Sequence, residues 1–512
     1  RGLDAASRER VRHLARRTWL FFERFVGPDD HWLPPDHYQE EPLGMVAHRS
    51  SPTNVGLLIL STVGAYDLGY IGAQELLLRL RSTFDGMEGL ERYRGHFLNW
   101  YDTRSLDPLP PRYVSTVDSG NLAGCLLALA QACASLPGNL ILRSQAWRGF
   151  ADSYRLYRES IERLDLGLDA SSEAGDASSE ARDLPLSEML ERIEARLDDA
   201  SGDPKEWMAL LQELQEERWP ELDARIAELV ESRSPKLDAT VLRDLRMWNE
   251  RALHHLSWMR RELDGLLPWL QMLDERPTLL EEPGVDDEIK DAWQALARAL
   301  AGVPSWMGMP EFCDDAGTEL ERLEALLRRG LLRQKQPNEG LPRDGESVES
   351  RDGVQQALKW CEKLAARLED AQAAATNWIS ECRDLGNQAE TWVHEMEFGF
   401  LFDKRREVFR IGYNVMAESQ DNSYYDLLVS EARIASLIAI AKGDVPQSHW
   451  LHMSRPLTEV GGARALLSWS GTMFEYLMPT LLVKSYEGTL LDQSCEAAID
   501  RQIAYARRRG VP

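Results

Sequence analysis

The six cysteines, Cys125, Cys133, Cys313, Cys361, Cys382 and Cys495, include no CxxC pair. Neither a zinc knuckle nor a dithiol redox site is therefore encoded, and so few cysteines in 512 residues read as reduced thiols in a reducing compartment. The ten histidines make no HExxH or other tight ligand spacing. His254 and His255 are adjacent in a helical stretch, where they point to different sides, so no metal site is expected. GxGxxG after a strand, a P-loop, a GxSxG elbow and a basic-aromatic groove are all missing, and no cofactor is expected. The longest apolar runs, such as AGCLLALAQACASL, fall short of the roughly 20 residues that span a bilayer, and no signal-peptide pattern opens the chain. Direct membrane insertion is not expected. Positive charge is also scarce: 59 Lys and Arg face 84 Asp and Glu, a formal charge of -25. Such a field repels nucleic acid and anionic lipid and suits a neutral or cationic partner.

Helical periodicity dominates what is present, so the fold class is all-α. To about residue 137, helix candidates near 6–26, 53–68, 73–86 and 119–135 are joined by loops rich in Pro, Gly, Tyr and Trp. From 138 to 393 long Leu/Ala/Glu/Arg helices take over; in one of them Leu237, Val241, Leu245, Trp248, Ala252, Leu256, Met259, Leu263 and Leu266 recur at three- and four-residue steps. Two segments, 166–183 and 335–353, interrupt this bundle with Ser, Gly and acids and read as loops. After 394 the aromatic-rich chemistry returns in HEMEFGFLFDKRREVFRIGYNV, a hairpin around DKRRE, and helices are expected over 422–442, 462–483 and 489–509. The reading is a discontinuous domain, 1–137 with 394–512, carrying a helical insertion at 138–393.

The segment HFLNWYDTRSLDPLPPRYVSTVDSGN gathers Trp100, Tyr101, Asp102, Arg104, Arg112, Tyr113, Asp118 and Asn121, a set suited to a polyhydroxylated ligand. Aromatic rings offer a platform to sugar C–H faces, and carboxylates and amides pair with hydroxyls. Equally, Asp118 could be only a helix N-cap and the aromatics gap-fillers. HRSSPTNVG places His48, Arg49 and Asn54 at a helix start, where ordinary capping competes with ligand binding. In YYDLLVSEARIASLIAIAKGD, Glu431 falls on the apolar stripe of Tyr424, Leu428, Ala435 and Ile438. An uncompensated carboxylate there would cost several kcal/mol, which leaves a buried Glu–Arg pair or a general acid raised by burial. Glu475 follows Ser468, Gly471 and Thr472, a small polar face that fits either a ligand or another helix.

At these residues, VAHRSSPTNVGL, ERYRGHFLNWYDTRSLDPLPPRYVSTVDSGNLAG, SYYDLLVSEARIASLIAIAKGDVPQ and LLSWSGTMFEYLMP, the chain resembles the middle, glycoamylase-like domain of cyclic β-1,2-glucan synthases. The likeness covers about 1–137 and 394–512. It implies an (α/α)₆ barrel with loops forming a cleft at one end, set between a membrane-embedded glycosyltransferase region and a phosphorylase-like domain on the cytoplasmic face of a bacterial inner membrane. The implied activity is anomer-retaining transglycosylation that cyclises linear β-1,2-glucan through a covalent glycosyl-enzyme. A non-catalytic glucan-binding or scaffolding module and a β-1,2-glucan hydrolase are the competing readings. Glu431 matches the family's acid/base glutamate, and the motifs bring Tyr424, Tyr425 and Trp469 into the expected glucan contacts. The family's nucleophile lies in a WGxSES-like motif shortly after the RRGVP that closes this chain. A piece of something longer, truncated before its nucleophile, is therefore expected, with Glu475 the second carboxylate available within it.

Overall fold

The computed structural model describes residues 3–166, 185–198, 204–233, 238–282, 285–333 and 351–511. The loops expected at 166–183 and 335–353 lie almost wholly outside the described residues. Helices predominate and strands are short, so the chain is all-α. Four expected helices form at Ala5–Phe25, Pro52–Leu68, Ala73–Glu88 and Thr116–Ser135. Pro52 opens its helix where an absent N–H is no loss. The stretch Thr116–Gly138 is long and apolar enough to cross a membrane by length and composition, but its most apolar window is 67% buried inside the fold. Leu122, Cys125, Leu126 and Leu129 are at most 1% exposed, so its apolar surface serves the core.

Contacts divide the chain into two compact units, Arg1–Arg17 with Ala65–Leu76 and Ser135–Cys382, and Thr18–Gly64 with Leu77–Ala134 and Arg383–Pro512. Thus 1–17 and 65–76 group with the middle of the chain, and 383–393 with its ends.

The first unit is a helical bundle. Asp238 caps the helix Ala239–Leu266 by accepting from the Thr240 amide. Its buried face carries Leu245, Trp248, Ala252, Leu256, Met259, Leu263 and Leu266, as the three- and four-residue spacing requires. His255 is buried on the Ala146 carbonyl at 2.9 Å, whereas His254 faces outward to Glu75. All six cysteines are free thiols.

The second unit holds every candidate site residue. Small antiparallel sheets supplement its helices. Gly412–Asn414 lies between Tyr113–Ser115 and Ser419–Gln420, and Arg49–Ser50 pairs with Tyr101–Asp102. The DKRRE hairpin forms, with Phe402–Asp403 against Val408–Arg410, whose other edge takes Tyr424–Tyr425.

Two expected helices are not as predicted. The first, 422–442, is helical only from Arg433 to Lys442. Its leading half is pulled into strand and loop pairing, Tyr424 opposite Arg410 and Leu427 bridged to Ser454, because these long-range bonds outweigh local helix preference. The second, 462–483, is instead a hairpin, Leu457–Val460 with Ala463–Leu466, followed by the short helix Met473–Leu477. Gly461 and Gly462 turn that hairpin with φ of 59° and 87°, angles open to glycine at little strain.

Candidate active site

Glu431 does not lie on a helix face. It sits half-buried in the turn just ahead of the helix Arg433–Lys442, where its carbonyl accepts from the Ile434 amide at 3.1 Å. Ser430 Oγ accepts from the Ala432 amide at 3.2 Å, and Gly443 closes the helix at φ 80°. A neighbouring arginine does not neutralise Glu431. Arg433, 5% exposed, donates instead to the carbonyls of Ser430, Glu475 and Tyr476 at 3.2, 3.0 and 3.0 Å, and Glu431 has no ion-pair partner among the described residues. The guanidinium thus ties the Glu431 turn to the Glu475 helix. Replacing it, Arg433→Met, removes the guanidinium from all three carbonyls, of which Ser430 keeps the backbone amide of position 433 and Tyr476 the Cys495 thiol, and should lower unfolding stability by about 2 kcal/mol in denaturant titration. A change below the titration's error would remove Arg433 from that role.

Asp118 stands in the first turn of Thr116–Ser135 and is not its N-cap. Ser115 Oγ takes that part, accepting from the Asp118 amide at 3.2 Å, which frees the carboxylate. Thr53 Oγ donates to Asp118 Oδ1 at 2.6 Å, and the Asn121 amide nitrogen donates to Thr53 Oγ at 3.2 Å. With its amide nitrogen turned to Asp118, Asn99 donates to Oδ2 at 2.9 Å and accepts from the Trp100 indole at 3.2 Å. Asn121, 1% exposed, also hydrogen-bonds the Glu431 carboxylate. The helix carrying Asp118 meets the helix that follows Glu431 at Gly120, where a Cβ would fall 2.6 Å from the Ala435 nitrogen. Gly120 is two residues beyond Asp118 and Ala435 four beyond Glu431, so this contact sets how near the acids come.

Burial, then the charge of Asp118, pushes the Glu431 carboxyl up to about 7; the Asn121 hydrogen bond opposes the shift and the charge of Glu475 adds to it. The same acids act on Tyr425, whose hydroxyl is raised by burial first and then by Glu431 and Asp118. Glu475 moves the other way. Burial pushes it up, but hydrogen bonds from Ser470, Ser468 and Thr472 outweigh burial and hold it below its usual value. Its Oε2 accepts from Ser470 Oγ at 2.7 Å and Ser468 Oγ at 3.0 Å, its Oε1 from the Trp469 amide at 3.1 Å, and with Thr472 it forms a capping box. Glu475 is thus a fixed anion in a tight turn, and Glu431 a carboxyl able to give and take a proton near neutrality.

A second cluster adjoins the first through Trp100 and the Thr53–Asn54 pair. The Arg49 guanidinium lies 4.8 Å from the Trp100 ring centroid and donates to Asp36 at 2.9 Å, and Asn54 reaches the same carboxylate at 3.4 Å. His48 is held between Asp30 at 2.8 Å and Arg104 at 2.7 Å. Asp102 accepts the amides of Ser105 and Arg104 and shapes the loop that carries Arg104.

Some candidates sit elsewhere. Tyr101, 2% exposed, is a core residue whose hydroxyl donates to the Glu91 carbonyl at 2.5 Å, and its platform role is withdrawn. Arg112 pairs with Glu91. Tyr424 lies under Arg406 and Arg410 and donates to Asp403 at 3.2 Å, so its ring is already covered. Trp469, 56% exposed, carries its ring on the Glu475 turn. Asp36, Asp30, Thr53 and Asn99 complete the two clusters, and as single polar residues they give no periodic signal in the sequence. Tyr113, which donates to Asp421 at 3.1 Å, was in view, but its partner 308 residues away was not.

No protein-family model matches the chain. A curated relative, cyclic beta-(1,2)-glucan synthase NdvB of Rhizobium meliloti (strain 1021), is 31% identical over 98% of this chain. The chain spans about 14% of that relative's length. At that identity over nearly its whole length, the chain is similar to one domain-sized stretch of a cyclic beta-(1,2)-glucan synthase, the family its motifs resemble.

Proposed function

We propose that the chain is the transglycosylase domain of a cyclic β-1,2-glucan synthase, acting on linear β-1,2-glucan with retention at the anomeric carbon. The observation that carries this reading is Glu431, a carboxyl raised to about 7 beside Asp118 and Asn121, in a segment lined by Tyr425 and the Trp100 loop. In the proposal, Glu431 protonates the departing glycosidic oxygen and then, as carboxylate, takes the proton from the 2-hydroxyl at the far end of the same glucan. That hydroxyl replaces water on a glycosyl-enzyme, and tethering raises its effective concentration. Retention calls for a nucleophilic carboxylate about 5–5.5 Å from the acid. Glu475, ionised but held by its own turn, fits better as the fixed charge that supports the Glu431 pKa than as that nucleophile.

The proposed architecture is an (α/α)₆ barrel from 1–137 and 394–512 with 138–393 inserted, flanked in the longer protein by glycosyltransferase and phosphorylase-like domains at the cytoplasmic face of the inner membrane. Mass spectrometry of products from linear β-1,2-glucan tests the reading, using this chain and the longer synthase. Cyclic products are about 18 mass units lighter than linear ones, because a sugar hydroxyl has replaced water. Only linear fragments would establish a hydrolase. Binding without any product from either protein would establish a glucan-binding module.

Trp100→Ala should weaken glucan binding about tenfold in calorimetric titration by removing the platform that Arg49 and Asn99 hold in place. Unchanged affinity would take Trp100 out of the cleft.

A further inference from the structure

A groove in the second unit lies apart from the two clusters and has no assigned role. Its walls include Arg94, Glu397, Phe400, Lys404, Glu407 and Asp444. Two hairpin turns form its rims, and each holds a bulky residue in the left-handed region, Arg94 at φ 49° and Glu407 at φ 55°. Such angles are uncommon outside glycine, asparagine and aspartate and cost about 1 kcal/mol or more, so they tend to persist where side-chain direction matters. Phe400 packs edge-on against Tyr93 and Tyr413 at 5.8 and 5.3 Å, and those two stack on each other at 5.6 Å. This block, with His96 edge-on at 5.4 Å and the Arg94 guanidinium 5.2 Å from the ring centroid, fixes the Phe400 ring in the groove wall. Lys404 is exposed and makes no hydrogen bond or ion pair among the described residues, while Glu397 faces Arg94 at 3.9 Å across the rim.

The groove is also joined to the candidate centre. Gln420 donates to the Phe400 carbonyl at 2.6 Å, and the next residue, Asp421, accepts from the Tyr113 hydroxyl. Tyr113 in turn leads through Ser115 to Asp118. Cations and carboxylates interleaved along the walls give little net attraction for an ion of either sign, but they supply donors and acceptors for hydroxyl groups beside an aromatic ring. We propose that this groove is an outlying subsite that holds glucosyl units of a β-1,2-glucan chain whose reacting linkage lies at Glu431. The inference rests on the glucan reading above and deepens it: the groove makes the chain sense substrate length, because short glucans fill the centre without reaching Phe400.

The test is calorimetric titration of the 512-residue chain with short and with long linear β-1,2-glucan, comparing the unaltered protein with Lys404→Ala and Phe400→Leu. Lys404 is exposed, so its variant keeps the fold, and the thermal unfolding midpoint verifies the fold of the Phe400 variant. The expected result is a loss of about tenfold in affinity for the long glucan with the short one unchanged. Equal losses for both lengths, or none for either, overturn the subsite while leaving the glucan reading in place. An unaltered chain that binds neither length removes that reading, and the subsite with it.

Discussion

Glu431→Gln should abolish turnover of linear β-1,2-glucan, by about a thousandfold or more, and at the same time make the protein more stable above neutral pH. The two effects share one cause. Burial and the Asp118 charge lift the carboxyl from its ordinary 4.5 to about 7, which keeps a proton available for the leaving oxygen. Between those values the folded chain holds a proton that the unfolded chain has lost, so stability falls as pH rises through the window. Above it the charged, half-buried form is fully present. Glutamine removes that charge, and the variant should gain about 2 kcal/mol at about pH 8, with residual exposure discounted, and nothing below about pH 4.5. A stability gain independent of pH, or retained turnover, would overturn the assignment. Asp118→Asn offers the partial case: with one neighbouring negative charge gone, the alkaline limb of the pH–rate profile should move to lower pH.

Gly120→Ala should destabilise the protein by about 2–3 kcal/mol, although alanine is the better helix former by about 1 kcal/mol. The added Cβ would meet the Ala435 nitrogen, Cα and Cβ at 2.6, 2.7 and 2.5 Å, and backbone cannot swing aside as a side chain can. Two other helical glycines serve as controls. A Cβ on Gly56 meets Cys125 Sγ at 3.0 Å, Cys125 Cβ at 3.2 Å and the Leu122 Cα at 3.4 Å, a milder crowding than at Gly120, so Gly56→Ala should cost less than Gly120→Ala. Gly64 has nothing within 4 Å of that position, so Gly64→Ala should stabilise by up to about 1 kcal/mol. If all three variants behave alike in denaturant unfolding, the close approach of the two helices is wrong. Because the clash lies between the Asp118 and Glu431 segments, only Gly120→Ala should also depress turnover in the protein that remains folded.

The long helices were legible because their apolar spacing is sustained: Leu245 through Leu266 was read correctly, and the buried face is the one named. Strands of two to four residues were not, since so few positions cannot display an alternating pattern. The Val460–Ala463 hairpin carried a usable signal in its Gly461–Gly462 pair, which helix-like apolar spacing across 462–483 obscured. At the site, Glu431 was singled out for a partly mistaken reason. Tyr424, Leu428, Ala435 and Ile438 have helical spacing, but only the last two are in a helix, and the carboxylate is conspicuous because of the turn it occupies. Tyr101 and Tyr424 had the right chemistry for a sugar platform. What removed them from the reading is tertiary: one ring is in the core and the other is covered by two arginines.

The pairing of Tyr113–Ser115 with Gly412–Asn414 also fixes an order of events during synthesis. Tyr113 and Asp421 are 308 residues apart, which at roughly 5–20 residues per second puts roughly 15–60 s between their emergence from the ribosome. For that interval the strand leading to Asp118 presents a bare edge, and the apolar helix behind it has no Ala435 to pack against. That edge and that helix face therefore stay unpaired until the segment from Gly412 to Ala435 has been made.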